Sequence, residues 1–394
     1  MRNYSIRLKI VLVVVVLFLV SMGGLYAAIE SVYKMTTDTL AQQGLSDARN
    51  SYRTLQDEEA KKLSAVLDVL QTREDLQALY LSGDRDALLE ASEPLFDQLR
   101  ENHEITHWYF ETTPPDSSVF LRVHKPDEYG DSLTERKVYV NAVESGEIGQ
   151  GTELGQTAFA LRVVKPWADP SGDVVGYLEL GMEIDHFLQE MKEETGNDYA
   201  LMALKSHMDH EAWAKVRALH GLRDNWDDHP TNLLLDSSVD SELLTEFEGD
   251  LADVPDEGTV LETLMEGDRT FVRGIFPLYD PDGQIAGGVL VLEDITDVTR
   301  GAARIRMWAI VLGAVVSLAF LIVLLLLLDR MVFSRINLMV ERLEDASVRL
   351  AGGDFDVATD LEVKAHDEIG RFEEFFGKFL RVVASALQDL SRKQ

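Results

Sequence analysis

Ala160-Leu-Arg-Val-Val-Lys-Pro-Trp-Ala-Asp-Pro-Ser-Gly-Asp-Val-Val-Gly176 recurs 111 residues later as Phe271-Val-Arg-Gly-Ile-Phe-Pro-Leu-Tyr-Asp-Pro-Asp-Gly-Gln-Ile-Ala-Gly287. Seven identities hold one register: Arg162 with Arg273, Pro166 with Pro277, Asp169-Pro170 with Asp280-Pro281, Gly172 with Gly283, Gly176 with Gly287 and Ile184 with Ile295. Chance can supply a shared turn, but not readily that many matches in step. Each copy reads as a β-hairpin. A β-rich run reaches Asp-Pro-x-Gly, where proline presets φ and glycine accepts φ > 0, and an apolar run returns over Val174–Leu180 or Ile285–Leu292. The chain is therefore read as α+β, with two related modules that each end in an antiparallel sheet.

Working outward, residues 30–83 hold no proline and only Gly44 and Gly83 as breakers, with Leu63, Val66, Leu67 and Leu70 at helical spacing. One long helix is expected there, then a second over about 84–102 that Pro94 breaks or kinks. In the first module Ile105–Phe110 and Ser118–Val123 read as strands around the turn Thr113–Asp116. In the second, Tyr199–Leu204 and Thr231–Leu235 read as strands and Asp209–Leu219 as a helix.

Farther out lie two uncharged apolar runs, Ile10–Ile29 and Met307–Leu328, of 20 and 22 residues. At 1.5 Å per residue each can cross a hydrocarbon core of roughly 30 Å. Two spans put both tails on one side and the block between them on the other. Arg2, Arg7 and Lys9 precede the first run without an acid and Glu30 and Asp38 follow it, so both termini are expected in the cytoplasm and residues 30–306 outside the inner membrane. Arg300, Arg304 and Arg306 argue weakly the other way. A cleaved signal peptide is the rival for the first run, since Tyr26-Ala27-Ala28 loosely fits a cleavage site, but the run exceeds a normal 7–15-residue h-region.

The net charge of −32 is uneven, because residues 30–300 carry 56 acidic and 22 basic side chains. Such a surface repels nucleic acid and anionic headgroups, so no nucleic-acid partner is expected. The absence of cysteine excludes disulfides, thiolate metal sites and cysteine nucleophiles.

Trp108-Tyr-Phe, Phe120-Leu-Arg-Val-His-Lys-Pro-Asp-Glu-Tyr-Gly-Asp131, Gly151-Thr-Glu-Leu-Gly155 and Gly176-Tyr-Leu-Glu-Leu-Gly181 resemble the double-Cache sensor domains, within them the subgroup with an F-L-R-x-H-x-P…G-D run. The resemblance covers about residues 35–295 and is most specific over 105–187. It implies tandem PAS-like modules on a long N-terminal helix, outside the membrane in chemoreceptors and sensor kinases. The amino-acid-binding signature of the better-known class is missing, so an amino-acid ligand does not follow.

Beyond the second run, Ile336, Met339, Leu343, Ala346 and Leu350 are spaced 3-4-3-4, and Ile369, Phe372, Phe376, Phe379, Val383, Ala386 and Leu390 repeat the pattern. A 3.5-residue period is a coiled-coil seam. Two such helices, of about 16 and 22 residues, close a parallel four-helix bundle only as a homodimer. Asp367-Glu-Ile-Gly-Arg-Phe-Glu-Glu-Phe-Phe376 resembles the second helix of HAMP domains, although the proline common near Asn337 is missing. Gly352-Gly-Asp-Phe-Asp356 is one letter from a cyclic-dinucleotide synthase signature but lies in the connector, without a catalytic domain. The chain is expected to signal to a separate cytoplasmic partner (histidine kinase, chemotaxis or cyclic-dinucleotide machinery) or to be cut short.

The expected organisation is thus a cytoplasmic N-terminus over 1–9, a first span over 10–29 and a sensor over 30–300. The sensor divides into a stalk over 30–102, a membrane-distal module over 103–190 and a proximal module over 191–300. A second span over 307–328 and a HAMP domain over 329–394 follow. Arg122 and His124 share a strand face, Arg162 lies on a strand of the same module, and Glu153, Lys165 and Asp131 are near. Trp108 and Tyr109 are expected to supply apolar walls for a small ligand, and the two arginines and the histidine suit a carboxylate. In the rival reading Arg122 pairs with Glu153 or Asp131 to hold the sheet together, and the match of Arg162 to Arg273 favours a structural role for both. No metal site is expected from His207, His210, Glu211, His220 and His229, since His210-Glu211-Ala-Trp-Ala214 lacks the second histidine of a zinc-protease helix, and no cofactor is expected. No nucleophile, base and orienter occur at recognisable spacing, so a membrane-anchored ectoenzyme ranks below a receptor. The other alternative is a sensor of a periplasmic protein.

Overall fold

The structure, a computed structural model, describes residues 6–245, 247, 249–354 and 368–391. It divides into two units, one of Lys34–Gly301 and one of Met1–Tyr33 with Ala302–Gln394.

In the larger unit, α1 (Ile6–Gln71) supplies its C-terminal part, followed by α2 (Glu74–Ser82) and α3 (Arg85–His103). The first module contains β1 (His107–Glu111), β2 (Val119–Arg122), α4 (Lys137–Ser145), β3 (Gly149–Leu154), β4 (Phe159–Ala168) and β5 (Val174–Glu183). After α5 (Asp185–Thr195), the second module contains β6 (Asp198–Leu204), α6 (His210–Leu219), β7 (Asn232–Ser237), α7 (Glu242–Thr245), β8 (Thr259–Glu266), β9 (Arg269–Tyr279) and β10 (Ile285–Asp294). The two antiparallel sheets, ordered β2-β1-β5-β4-β3 and β7-β6-β10-β9-β8, are the same arrangement twice.

The repeat survives to the level of single hydrogen bonds. Asp169 N donates to Asp173 O and Gly172 N to Asp169 O, both at 2.9 Å; Asp280 N donates to Gln284 O at 2.8 Å and Gly283 N to Asp280 O at 2.9 Å. Asp169 Oδ1 accepts from Ser171 and Asp173 N, and Asp280 Oδ1 from Asp282 and Gln284 N. Gly172 and Gly283 sit at φ 91° and 78°, where only glycine is unstrained. Arg162 lies opposite Gly181 and Arg273 opposite Leu292, again 111 residues apart.

One stripe of α1 (Leu45, Ala48, Tyr52, Ala60, Leu63, Leu67, Leu70) is buried in a core shared with both sheets. The expected single helix over 30–83 is interrupted after Gln71. Trp167 Nε1 takes the Gln71 carbonyl at 3.2 Å, while Gln71 Nε2 donates to Pro166 O at 2.6 Å, so β4 stops the helix. Of the expected break or kink at Pro94, the break is corrected, because α3 continues through it. Leu88, Ser92, Phe96 and Leu99 are buried along one face of α3, and that packing holds the helix across the missing N–H.

In the smaller unit, α1 and α8 (Thr296–Leu328) carry the two apolar runs and are long and apolar enough to cross a membrane. Arg306 meets Glu30 at 3.1 Å and lies over the Tyr33 ring at 4.8 Å. Beyond them, α9 (Ser334–Ala351) and α10 (Glu368–Ser391) meet through Ala346, Leu350, Phe376 and Leu380. Phe355, Asp356 and Asp367, which the connector and HAMP readings invoke, lie outside the described residues.

Candidate functional site

Alternation along β1 sorts the first module into two faces. Trp108 and Phe110 enter the core shared with α1 and α3. His107, Tyr109 and Glu111 point the other way, under α4, whose Val138, Tyr139 and Ala142 pack with Tyr109, Val119, Val164 and Tyr177. Gly149 allows this approach, because a Cβ there would collide with the Val138 carbonyl.

Under α4 lies a buried polar chamber centred on Tyr109. Arg136, Arg122 and Arg162 surround its ring at 4.6, 5.5 and 5.6 Å, and His124 stands edge-on at 4.8 Å. His107 stacks beside Tyr109 and lies 4.7 Å from His124. Arg162 Nη1 donates to the fully buried Glu179, and its Nε lies 3.7 Å from Glu153 Oε2. Glu153 Oε1 also accepts from Val138 N at 3.0 Å, at the start of α4. Arg122 donates to Asp131 Oδ2 at 2.5 Å and to Glu128 O at 2.9 Å. Arg136 Nη2 donates to the Tyr109 hydroxyl at 3.3 Å, while its Nη1 makes no hydrogen bond.

The charges follow from burial and neighbours. Burial, then the negative charge of Glu179, pushes the Glu111 carboxyl well above its usual value, so it can donate a proton to Glu179. Burial also acts to raise Glu179, but Arg136 and Arg162 outweigh it and hold that carboxyl below its usual range. Burial and then Arg162 push His124 down to about 4 and His107 far below its ordinary value, so both rings are neutral at neutral pH. Burial raises Glu153, partly offset by Arg162.

Tyr109, Arg122, His124, Asp131, Glu153 and Arg162 are thus brought together. Trp108 and Lys165 are not. Trp108 alternates with Tyr109 and belongs to the core, and Lys165 Nζ binds Asp68 and the Ser64 carbonyl of α1 on the opposite face. The pairing of Arg122 with Asp131 anticipated by the structural rival is present. Sequence reasoning missed His107, Glu111, Arg136 and Glu179. The period-two step from Tyr109 reaches His107 and Glu111, and Glu179 is the one acid within the apolar run Val174–Met182 of β5. Arg136, in a loop, left no signal.

The second module shows what the same positions become without a chamber. Register places Ala200 where Tyr109 stands, Met202 where Glu111 stands and Leu290 where Glu179 stands. Only the arginine persists, as Arg273, bound to Glu262 and to Leu243 O. Leu244, Phe247 and Leu251 fill the space. The first module's chamber opens into a cavity of about 250 Å³ lined by Arg136, Arg162, Glu153, His207 and Asp280. The second hairpin's turn abuts the mouth, with Lys137 and Asp282 2.5 Å apart and Pro281 against Gly151.

Two five-stranded modules on one long helix, one with a polar chamber, define a paired sensory domain. Residues 41–299 match dCache_3, the double sensory domain of two-component sensor kinases, and the chain belongs to that family. No curated protein matches the chain. Among solved structures, the periplasmic domain of Vibrio cholerae LuxQ is 14% identical, covering 66% of this chain and 99% of its own, with a TM-score of 0.30. The ligand-binding domain of the Campylobacter jejuni chemoreceptor Tlp3, in complex with 4-methylisoleucine, is 11% identical, covering 70% and 94%, with a TM-score of 0.37. The E. coli DcuS sensor domain is 19% identical, covering 35% and 97%, with a TM-score of 0.28.

Proposed function

We propose that the chain is a non-enzymatic transmembrane receptor whose first module binds a small extracytoplasmic solute carrying a carboxylate. The observation that carries this is the contrast between modules: one set of strand positions holds Tyr109, Glu111 and Glu179 in a polar chamber beside a cavity, and the matching positions hold Ala200, Met202 and Leu290 under apolar side chains. Burying charged and polar groups costs stability unless they are paired, and the second module avoids that cost by filling the same positions with apolar side chains. Arg136 and Arg162 at the cavity suit an anionic group.

The relay follows the chain. The turn at the mouth begins β10, and β10 ends one residue before α8, which is read as the second span. A solute that fits one setting of that hairpin better than another shifts the population of α8 positions, and the HAMP-like helices α9 and α10 repack in a dimer facing a cytoplasmic signalling partner. The internal pairing of Arg122 with Asp131 favours a structural role for that residue, and the alternative function is a sensor of a periplasmic protein.

The test is thermal unfolding of the full chain in detergent micelles against small carboxylates. A ligand at a hundredfold excess over Kd adds about 2.7 kcal/mol. Arg136→Lys should remove that gain, because its guanidinium lines the cavity, whereas Arg122→Ala, whose partner Asp131 is half exposed, should cost the free protein about 1 kcal/mol or less. A gain that survives both Arg122→Ala and Arg136→Lys places the ligand elsewhere. Stabilisation by no carboxylate favours the protein-sensing reading.

A further inference from the structure

Away from the chamber, Glu104, His186 and Glu190 gather one donor atom each, all within 4.8 Å of one another. His186 and Glu190 lie one turn apart on α5, on the same face. Glu104 comes from a separate element, the C-cap of α3. His186 Nε2 stands 3.3 Å from Glu104 Oε2. Donors held at about 2.0–2.1 Å around a tetrahedral zinc ion lie about 3.3 Å apart, so this pair already has the spacing of adjacent ligands.

The far side of the imidazole is also arranged for a metal. Asp185 Oδ1 lies 3.8 Å from Nδ1, longer than a hydrogen bond but within reach of the outer-carboxylate role once a metal holds the imidazole. The ring is held edge-on against Phe187 with centroids 4.8 Å apart, and Phe187 is fully buried. Among the described residues no lysine or arginine is ion-paired with Glu104 or Glu190, and Lys62, whose charge reaches Glu190, is paired with Glu59 at 2.6 Å.

We propose that Glu104, His186 and Glu190 bind one divalent transition-metal ion of the zinc class, with Asp185 as a positioning residue. The imidazole selects against magnesium and calcium, and the absence of sulfur selects against copper(I). Three protein ligands leave a coordination position for water. The bound ion ties the end of α3 to α5, the helix that connects the two modules. The site shares no residue with the solute chamber and stands or falls separately from it.

The full-length protein in detergent micelles, stripped with a chelator, is dialysed against micromolar zinc chloride and its bound metal counted. The wild type should retain one zinc ion per chain more than either His186→Gln or Glu190→Gln, and Asp185→Asn should weaken that ion's affinity about tenfold. Glu190 is on an exposed helix face, so its glutamine variant keeps the fold, which circular dichroism verifies. Equal zinc in the wild type and in either ligand variant overturns the proposal, as does a wild type that retains none.

Discussion

At the scale of single residues, Glu111 and Glu179 show how two like side chains acquire opposite states. Glu111 has no cation close enough to outweigh burial, whereas Glu179 lies between Arg136 and Arg162. A carboxyl whose folded pKa is raised contributes stability that is present below its unfolded value, about 4.3, and lost as pH rises through the folded one. Glu111→Gln removes that dependence and keeps a hydrogen-bond donor. Its melting temperature relative to the wild type should therefore climb between pH 5 and pH 8. A difference that is flat or falls over that range shows Glu111 ionised in the native state. Much of this chemistry was legible in the sequence once period two was applied strictly: Trp108 and Tyr109 cannot face one chamber, and Lys165 is one step out of phase with Val164, which packs under α4. Arg136 was not legible, because its position depends on how a loop returns across the sheet.

At the scale of elements, the hairpins were the most readable part, since their turn chemistry is local. The aspartate accepts two backbone N–H groups and the glycine takes the left-handed conformation in both copies. Asp280→Ala should cost about 1–3 kcal/mol through two lost acceptors, and Asp169→Ala a similar amount. Denaturant unfolding of the two variants checks this, and a cost confined to one copy shows that the turns are not equivalent. The ends of α1 and α3 were less readable because tertiary contacts decide them. Trp167, 96 residues away, stops α1 at Gln71, and core packing carries α3 through Pro94. Helices α4 and α5 and strands β3 and β8 went unread, and of these α4 matters most, since it roofs the chamber.

At the scale of the whole molecule, the 3-4 spacing of the last helix makes a claim that one chain cannot satisfy. Phe376 and Leu380 of α10 are covered by Ala346 and Leu350 of α9. Phe372 and Phe379, on the neighbouring stripe, are 57% and 54% exposed in the single chain. Glu373, by contrast, lies against α9, with its carboxylate 3.5 Å from Arg335. In the proposed parallel bundle, these two aromatic rings on a regular seam are the surface that a second copy would cover. A cysteine at Phe372 should therefore crosslink between chains in membranes and a cysteine at Glu373 poorly, and since the native chain has no cysteine the readout has no background. Equal crosslinking at both positions would remove the dimeric HAMP reading. It would leave the sensory domain intact, because the paired modules and the polar chamber are built within a single chain.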